Sequence, residues 1–460
     1  MAASRMKDLD LSGGSLYAKA ICFTLPLVLS GVLQIIYNSA DLVVVGQFAG
    51  KAAVASVGAT TSLFHLLTNV FIGVSVGVNI LAAFCLGAKD EENASKVAHT
   101  SVLAGLLLGA VLAVGGWFAT PLLLRWMETP EEEGVFAGAA LYMRICLCGM
   151  PVSLLYNHCA ALLKARGETR KPFCYLLVGG ALNVVLNVVF VTGFHLDVAG
   201  VALATVVAQA LAAALTVNEL AHERSPLRLR FSALRISWDK FGKILALGIP
   251  AGVQSAMFSV SNVFFQNAVN TFGVDAISGC SAAGTLSGVS SAAVSSFQDT
   301  SVTFVSHCMG ARDYRRIPRV LGVTTVLAVA TGLLVGGGLM IFCDSLLALF
   351  IPGETAAIAV GRERALASLP LYFIAGAMFT TGSAVRGLGV STPPALVALA
   401  LVCGVRIAWL FTVFRSYHSV FGLFFSYPVT WLLATVGYLV LFARYYRPLK
   451  DGAGVEVSGA

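Results

Sequence analysis

The chain has 460 residues, of which 57% are hydrophobic and only 12% charged, and its formal net charge is +7. Soluble domains carry about 25% charged residues, so this composition excludes an ordinary soluble protein and indicates a membrane protein. Apolar stretches long enough to cross a hydrocarbon core about 30 Å thick recur along almost the whole chain, which leaves no room for a separate soluble domain.

Twelve membrane-spanning helices are predicted, and we number them spans 1 to 12. Their approximate ranges are 17–45, 53–85, 97–121, 135–162, 172–194, 198–220, 240–271, 276–308, 318–343, 361–385, 394–416 and 420–443. An even number of crossings returns the chain to the side of the membrane on which it began. The fold class is therefore an all-α membrane protein.

The second half of the chain repeats the first. The sequence LGAKD at 86–90 returns as MGARD at 309–313, an offset of 223 residues (309 − 86). Three further pairs have similar offsets, namely Pro26 and Pro250, Pro151 and Pro370, and Arg166-Gly167 and Arg386-Gly387. Hydrophobic halves that repeat are typical of membrane transporters whose site lies between the halves.

The repeat and the spans together predict the domain organisation. We expect an N-terminal six-helix lobe at 1–220, a basic cytoplasmic inter-lobe loop at 221–239, a C-terminal six-helix lobe at 240–446 and a cytoplasmic tail at 447–460. Because each half holds an even number of spans, the two lobes are expected to be parallel repeats related by an axis along the membrane normal.

The distribution of Lys and Arg predicts the orientation. Alternate connections, counted from the N-terminus, hold 23 of the 30 basic residues, and positive loops are retained on the cytoplasmic side. Both termini are therefore expected in the cytoplasm. The positive charge is spread over short loops without a binding motif, so we expect lipid as a partner and no nucleic acid. A closed twelve-helix arrangement needs no second copy, which favours a monomer.

Span 1 carries the clearest candidate for chemistry. Asp41 follows Gln34, Tyr37 and Asn38 at helical spacing, so the four side chains form one polar stripe on an apolar helix. A carboxylate near the bilayer centre costs about 2.5 to 3.5 kcal/mol and is a functional candidate for that reason. The alternative is that Asp41 lies in water at the outer interface and only ends the span.

Other polar residues of the first half occupy spans 4 to 6. Asn183 and Asn187 share one face of span 5, Thr205 and Gln209 share one face of span 6, and Asn157 lies in span 4. They can line one cavity together with Asp41. They can equally be hydrogen bonds that hold the helices together, which membrane proteins commonly use.

The second half has a different set of polar residues. Span 7 carries Gln254 and Asn262, span 8 carries Asp299, and span 11 carries Arg406, 223 residues after Asn183 (406 − 183). Arg406 can neutralise Asp299 as a buried pair or can have a purely structural role. An intramembrane arginine needs a partner in either case.

The chain resembles the multidrug and toxic compound extrusion (MATE) transporters, within the larger superfamily of multidrug, oligosaccharidyl-lipid and polysaccharide flippases. The residues that carry the resemblance are Pro26 through Asp41 to Gly46, LGAKD, the turn from Lys164 to Gly167 with Pro172, the Asn183–Asn187 face, MGARD, and Arg386-Gly387 with Pro393. The resemblance implies a V-shaped, two-lobe antiporter of the bacterial inner membrane. Such a protein exports bulky, often cationic drugs in exchange for protons or sodium by alternating access.

The resemblance also implies roles for single residues. Pro26 would be the kink of span 1, and Asp41 would be the titrating acid and a possible sodium ligand. Asn183, Asn187 and Asp299 would assist ion coupling, and Arg406 would be a structural charge. The expected cavity lining is Gln34, Tyr37, Asn38, Asn157, Thr205, Gln209, Gln254 and Asn262. Apart from the coupling ion, no cofactor is expected.

The sequence departs from the family pattern at the acids. Relatives carry a second acid on span 5, where this chain has Asn187. Neither 248–270 nor 366–385 contains Asp or Glu, so Asp299 is the only replacement in the second half. The identity of the coupling ion is open for this reason.

Two other functions are possible. A flippase for a lipid-linked precursor or polysaccharide would favour a cavity with several cations for phosphate, and Arg144 and Arg406 are the only arginines expected inside the membrane. An integral-membrane enzyme would show clustered His or Asp at ligand spacing, and the seven histidines are scattered. The chain is therefore not expected to be an enzyme.

Overall fold

The computed structural model describes residues 15–127 and 134–450, except for the side chains of 38–40, 42–43, 49–52, 54–55, 59, 61–62 and 65. The described part is helical and contains no strand. The helices of the first half are Leu16–Val44 with the π-helix Val45–Ala49 (span 1), Gly50–Gly87 (span 2), Glu91–Trp126 (span 3), Val135–Cys148 with Met150–Arg166 (span 4), Arg170–Val188 with the π-helix Val189–Gly193 (span 5) and Asp197–His222 (span 6).

The second half follows the same plan. Its helices are Trp238–Asn270 (span 7), Val274–Gly310 (span 8), Ile317–Ile341 (span 9), Thr355–Ser368 with the 3-10 turn Leu369–Leu371 and Tyr372–Gly387 (span 10), Thr392–Ala398 with the π-helix Leu399–Gly404, Val405–Phe411 and Val413–Ser416 (span 11), and Val420–Lys450 (span 12). A short helix, Cys343–Phe350, lies between spans 9 and 10. Every predicted span is helical, and the last helix continues into the predicted tail.

Span 4, predicted as one continuous helix, is bent. Its two helices meet at Gly149 at an angle of 43°. Pro151 lies in the first turn of the second helix, where its missing N–H breaks no helical hydrogen bond. The Gly149-Pro151 region therefore bends the span without leaving a buried donor unpaired.

Span 8 is the most polar of the long helices. Among the described residues, ten helical segments are long and apolar enough to cross a membrane, and the bent pair of span 4 makes eleven. Span 8 is the remaining one. More than half of its residues are buried, and it packs against spans 9 and 10. A helix covered by other helices needs small side chains more than apolar ones, since little of it faces lipid.

The two repeated motifs form the same turn. Lys89 in LGAKD and Arg312 in MGARD both adopt a left-handed backbone, with φ of 56° and 55°. In each turn the amide of the following aspartate donates to a carbonyl five residues earlier, over 3.0 Å. Asp90 then caps span 3 by accepting from the Asn93 amide, and these bonds from Asn93 hold the pKa of the Asp90 carboxyl below its usual value. The repeat is thus visible in the backbone.

A second pair of turns corrects one detail of the repeat. Gly167 ends span 4 in the left-handed conformation, with φ of 98°. In the second half the left-handed glycine is Gly389, with φ of 87°, whereas Gly387 still lies in the helix. The equivalent turn glycines are therefore 222 residues apart (389 − 167), and Arg386-Gly387 precedes the turn.

The chain divides into two compact units that differ from the predicted lobes in two helices. Among the described residues, unit 1 comprises 33–252 and unit 2 comprises 15–32 and 253–450. The first part of span 1 thus belongs to unit 2, and the first part of span 7 belongs to unit 1. The predicted lobe boundaries assigned each span whole.

Glycines explain the assignment of span 7 within unit 1. A Cβ on Gly73 would overlap the backbone of Gly252, and one on Gly77 would overlap the Ile244 carbonyl. Spans 2 and 7 therefore approach until their backbones touch. Such close approach gives helices in a membrane their dispersion contact, because no hydrophobic effect drives their association there.

Unit 2 contains the equivalent contact between spans 1 and 8. Phe23 packs on Phe304 with ring centroids 5.3 Å apart, and the Thr24 and Thr300 hydroxyls lie 2.6 Å apart. A Cβ on Gly31 would lie 3.1 Å from the Ala292 Cβ. The start of each repeat therefore packs on the second span of the other repeat.

The basic loop predicted at 221–239 is packed on unit 1. The Arg230 amide donates to His99 Nε2 over 3.1 Å, and the Ser237 amide donates to the Thr100 hydroxyl over 3.0 Å. Leu227 and Leu229 are buried. The connection between the halves is thus held to the start of span 3.

We predict that Gly77→Ala destabilises unit 1 by about 1 to 3 kcal/mol, because the new methyl group displaces the backbone of span 7. Gly115→Ala is the matched control, since a Cβ on this exposed glycine of span 3 meets nothing within 4 Å. The control should unfold at the same temperature as the wild type or slightly above it. Thermal unfolding in detergent measures both, and equal midpoints would contradict the packing described.

Candidate functional site

Four of the predicted polar residues form one chain of hydrogen bonds in unit 1. Asn187 Nδ2 donates to Asp41 Oδ1 over 2.5 Å and to Asn183 Oδ1 over 3.3 Å. Asn183 Nδ2 in turn donates to Thr205 Oγ1 over 3.3 Å. We call Asp41, Asn183, Asn187 and Thr205 the polar network. It joins spans 1, 5 and 6, as the sequence predicted.

Helical spacing and close packing build the polar network. Asn183 and Asn187 lie one turn apart on the buried face of span 5, and Asn187 is fully buried. A Cβ on Gly179, one turn before Asn183, would lie 3.0 Å from the Ala208 carbonyl of span 6. This glycine lets spans 5 and 6 approach, so that the short Asn and Thr side chains can reach each other. Asp41 is half-buried at the end of the chain of bonds.

The hydrogen bonds of the polar network leave one acceptor of Asn187 unused. Asn187 uses its side-chain nitrogen for both of its bonds, and its buried Oδ1 has no hydrogen-bond partner in the part of the chain that the structure describes. A buried polar atom without a partner costs about 1 to 3 kcal/mol. Among the described residues no Lys or Arg forms an ion pair with Asp41. A carboxylate and a free amide oxygen are therefore available to a proton or a cation.

Each of the two helices that meet at Asp41 and Asn187 changes its winding directly afterwards. The π-helix Val45–Ala49 follows Asp41, and the π-helix Val189–Gly193 follows Asn187. Single π-helical turns inside α-helices frequently occur at functional sites. This irregular winding is an independent reason to place the site here.

The other residues predicted for this half lie outside the polar network. Tyr37 donates to the Leu177 carbonyl over 3.1 Å, and its ring lies against Gly180, where no side chain would fit. Asn157 donates to the Ser153 carbonyl of its own helix over 2.8 Å. Gln34 is exposed and Gln209 is half-buried, and the side chain of Asn38 lies outside the described residues.

Unit 2 holds a cavity of about 350 Å³ that spans 7, 8, 10, 11 and 12 line. Two predicted residues, Asn262 and Arg406, contribute to its wall. Asn262 accepts a hydrogen bond from the Tyr427 hydroxyl over 3.2 Å. The π-helix Leu399–Gly404 directly precedes the helix that carries Arg406.

Gln254 and Asp299 belong to a different cluster in unit 2. Arg386 Nη2 donates to Gln254 Oε1 over 2.6 Å, and Asp299 interacts electrostatically with the same guanidinium. Arg406 donates instead to the Thr430 hydroxyl over 3.2 Å and stacks 3.7 Å from the Tyr427 ring. Of the two alternatives for Arg406, a pair with Asp299 or a structural role, its contacts with Thr430 and Tyr427 agree with the structural role, whereas Asp299 interacts with Arg386.

Two arginines of the second half, the buried Arg386 and the half-buried Arg364, were missed in the sequence. Arg386 was assigned to a connection, yet it lies in the last turn of span 10 and is 4% exposed. Arg364 was also counted with a connection and instead lines the cavity. Arg364 lies inside the range predicted for span 10, so its position in the sequence already indicated an arginine within a span. The prediction of two arginines inside the membrane was therefore too low.

Among the described residues no group of three or more His, Cys, Asp or Glu side chains could hold a metal ion. The polar network offers one carboxylate together with side-chain amides.

Comparison with known proteins gives a consistent result. The family model MatE matches residues 26–189 and 250–412, and the two matched segments begin at the repeat pair Pro26 and Pro250. The probable multidrug resistance protein YoeA of Bacillus subtilis (strain 168) is 29% identical over 451 residues, which cover 94% of each chain. The probable multidrug resistance protein NorM of Thermotoga maritima is 22% identical over 411 residues, which cover 86% of each chain.

The fold is also found among solved structures. One is described as the outward-facing conformation of a multidrug resistance MATE family transporter of the MOP superfamily. It matches this chain with a TM-score of 0.88 at 19% identity, and the match covers 95% of this chain and 97% of that one. The predicted all-α fold of twelve spans in two lobes is confirmed.

We predict that Asp41 and Asn187 are energetically coupled. In a double-mutant cycle of Asp41→Asn and Asn187→Ala, the effects on the free energy of unfolding should differ from additivity by about 0.5 to 3 kcal/mol. Asn157→Ala is the matched control, because Asn157 bonds to its own helix. Its effect should add to that of Asp41→Asn. Thermal unfolding of the purified variants measures these free energies. If Asp41→Asn were additive with Asn187→Ala as well as with Asn157→Ala, the hydrogen bond between Asp41 and Asn187 would be excluded.

Proposed function

The chain belongs to the MatE family, and from this premise we propose that it is a secondary active multidrug exporter. It would move bulky, often cationic compounds out of the cell in exchange for protons or sodium, by alternating access. The names of the relatives support drug export and do not favour the lipid-linked precursor flippase. The protein is a multi-pass membrane protein, and small-molecule drugs and lipid are its partners.

The polar network carries the proposal. It holds a carboxylate at the end of span 1 against the fully buried Asn187, whose Oδ1 lacks a partner. A proton on Asp41 could donate to this oxygen if the Asn187 amide turned over, and a sodium ion could bind both oxygens. Either ion would satisfy the acceptor and remove the charge. A cationic substrate that needs the same carboxylate would compete with the ion, which links the two fluxes.

The energy for export would come from the ion. Each positive charge that moves inward gains about 2.3 kcal/mol per 100 mV of membrane potential. Neutralising Asp41 also removes the cost of holding a charge in the membrane. Span 1 can transmit the change because Pro26 has no backbone N–H and weakens the helix at its centre. The Ser30 hydroxyl, one turn after Pro26, donates to the Pro26 carbonyl over 2.9 Å and supports the following turn of the helix.

The proposed orientation places both termini in the cytoplasm of a bacterium, with the chain in the inner membrane. Within unit 1, Arg166 forms an ion pair with Glu223, and Lys171 forms one with Glu219. These pairs fasten the basic turn after span 4 to the end of span 6. The turn is one of the connections that the positive-inside rule assigns to the cytoplasm.

We predict that Asp41→Asn abolishes coupled export. Cells that express wild type should accumulate less ethidium than cells without the transporter, and collapse of the gradient of the coupling ion, whether proton or sodium, should remove this difference. Cells with Asp41→Asn should accumulate ethidium like cells without the transporter. Asp275→Asn is the matched control, because Asp275 is exposed at the start of span 8. It should export normally at equal membrane expression.

The same experiment can contradict the proposal. Export by Asp41→Asn at the wild-type rate would exclude Asp41 as the coupling residue. Export of no drug from a panel of cations by the wild type would favour the flippase. Dependence on one gradient and not on the other names the coupling ion.

We predict that Asn187→Asp lowers the ion concentration that gives half-maximal export. The new carboxylate would lie next to Asp41, and two neighbouring carboxylates bind a proton or cation more tightly than one. Asn157→Asp is the control, because it adds a carboxylate outside the polar network. Ethidium export is measured at a series of pH values and sodium concentrations. An unchanged half-maximal concentration in Asn187→Asp would place the ion elsewhere.

A further inference from the structure

The cavity in unit 2 is lined by positive charge, whereas the polar network in unit 1 contains a carboxylate and no cation. Arg364 and Arg406 line it, and its lining contains no Asp or Glu. In the described part of the chain no carboxylate forms an ion pair with either arginine. The rest of the wall combines aromatic side chains with small, polar and aliphatic ones, and the aromatic residues are Phe258, Phe265, Tyr372, Phe379, Phe424, Tyr427 and Trp431.

Arg406 is held in a fixed orientation. It is 5% exposed, its Nε donates to the Thr430 hydroxyl, and its guanidinium lies 3.7 Å from the centre of the Tyr427 ring. Stacking on a ring and one hydrogen bond from Nε fix the plane of a guanidinium. The two terminal nitrogens have no hydrogen-bond partner among the described residues and are not buried. They are available to a ligand in the cavity.

Arg364 is also held by an aromatic ring and a hydrogen bond. Its guanidinium lies 4.2 Å from the centre of the Phe424 ring, and Nη1 donates to the Cys280 carbonyl. The guanidinium packs on Gly284, where a Cβ would lie 3.3 Å from both terminal nitrogens. Its Nε is buried and has no hydrogen-bond partner among the described residues.

A guanidinium inside a membrane protein that has no carboxylate beside it is expensive, because a charge there needs a partner. A guanidinium binds a carboxylate, sulfonate or phosphate through two parallel hydrogen bonds. Aromatic side chains pack on a flat apolar ligand. A volume of about 350 Å³ lies within the range of small-molecule sites.

We propose that this cavity binds an organic anion whose acidic group contacts Arg364 and Arg406 and whose flat, apolar body packs on the aromatic wall. That the exporter transports this anion rests on the proposed function. That the cavity binds the anion does not depend on the proposed function, and the experiment measures binding alone.

The first test compares two probes of equal size and opposite charge. The purified full chain in phosphatidylcholine nanodiscs is dialysed to equilibrium against naphthalene-2-carboxylate or naphthalen-2-ylmethylammonium at fixed ionic strength, with empty nanodiscs as the blank. The carboxylate should bind at least about tenfold more tightly than the ammonium. Equal affinities, tighter binding of the ammonium, or no binding of the carboxylate at millimolar concentration would each overturn the proposal.

The second test uses charge-matched variants. Arg406→Gln and Arg364→Gln should each weaken binding of the carboxylate by about tenfold or more. Arg362→Gln removes the same charge two residues away on an exposed side chain that pairs with Asp344, and it should bind like the wild type. Equal affinity in all three variants would overturn the proposal. If Arg406→Gln does not fold, Arg364→Gln and the comparison of the two probes still decide.

Two further measurements are needed. One distinguishes this proposal from the proposed function, and the other distinguishes a free organic anion from a lipid headgroup. Asp41→Asn should leave binding of the carboxylate unchanged, so a loss of coupling does not imply a loss of this site. Phosphatidylglycerol in the nanodiscs should also leave it unchanged if the ligand is a free organic anion. Loss of binding in those nanodiscs would assign the arginines to a lipid headgroup and overturn a free anion as the occupant.

Discussion

Polar groups inside the membrane have to find their partners on neighbouring helices, because lipid offers none. In unit 1 this requirement joins Asp41 to Asn187 and continues through Asn183 to Thr205. In unit 2 it joins Arg386 to Gln254. These hydrogen bonds decide which faces of the spans point inward. The candidate sites lie where a polar atom of such a face has no hydrogen-bond partner among the described residues.

The repeat provides two similar scaffolds with opposite charge. Span 5 carries the amides Asn183 and Asn187, and the corresponding span 11 carries Arg406. Each of the two spans contains a π-helical segment close to these residues. Unit 1 therefore presents a carboxylate and amides, whereas the cavity of unit 2 presents guanidinium groups. One duplicated architecture can thus serve an ion-coupling role in one half and a ligand-binding role in the other.

Small residues make the polar contacts possible. Gly73 and Gly77 bring spans 2 and 7 into backbone contact, and Gly284 gives Arg364 its place against span 8. Gly179 lets spans 5 and 6 approach, so that the short Asn183 and Thr205 side chains can meet. The polarity of span 8 has the same origin, since a buried helix rich in Ser, Ala and Gly packs closely without facing lipid.

The sequence by itself determined the twelve spans and the repeat, because apolar length and the repeated motifs specify them. Helical spacing also gave Asp41, Asn183, Asn187 and Thr205 as candidates, together with residues outside the polar network. Only the tertiary structure decided which faces meet. It excluded Asn157 from the polar network, placed Arg386 beside Asp299, and placed Arg364 in the wall of a cavity. The spacing of residues along one helix specifies a face, but the neighbour of that face depends on how all the helices pack, which a local pattern does not contain.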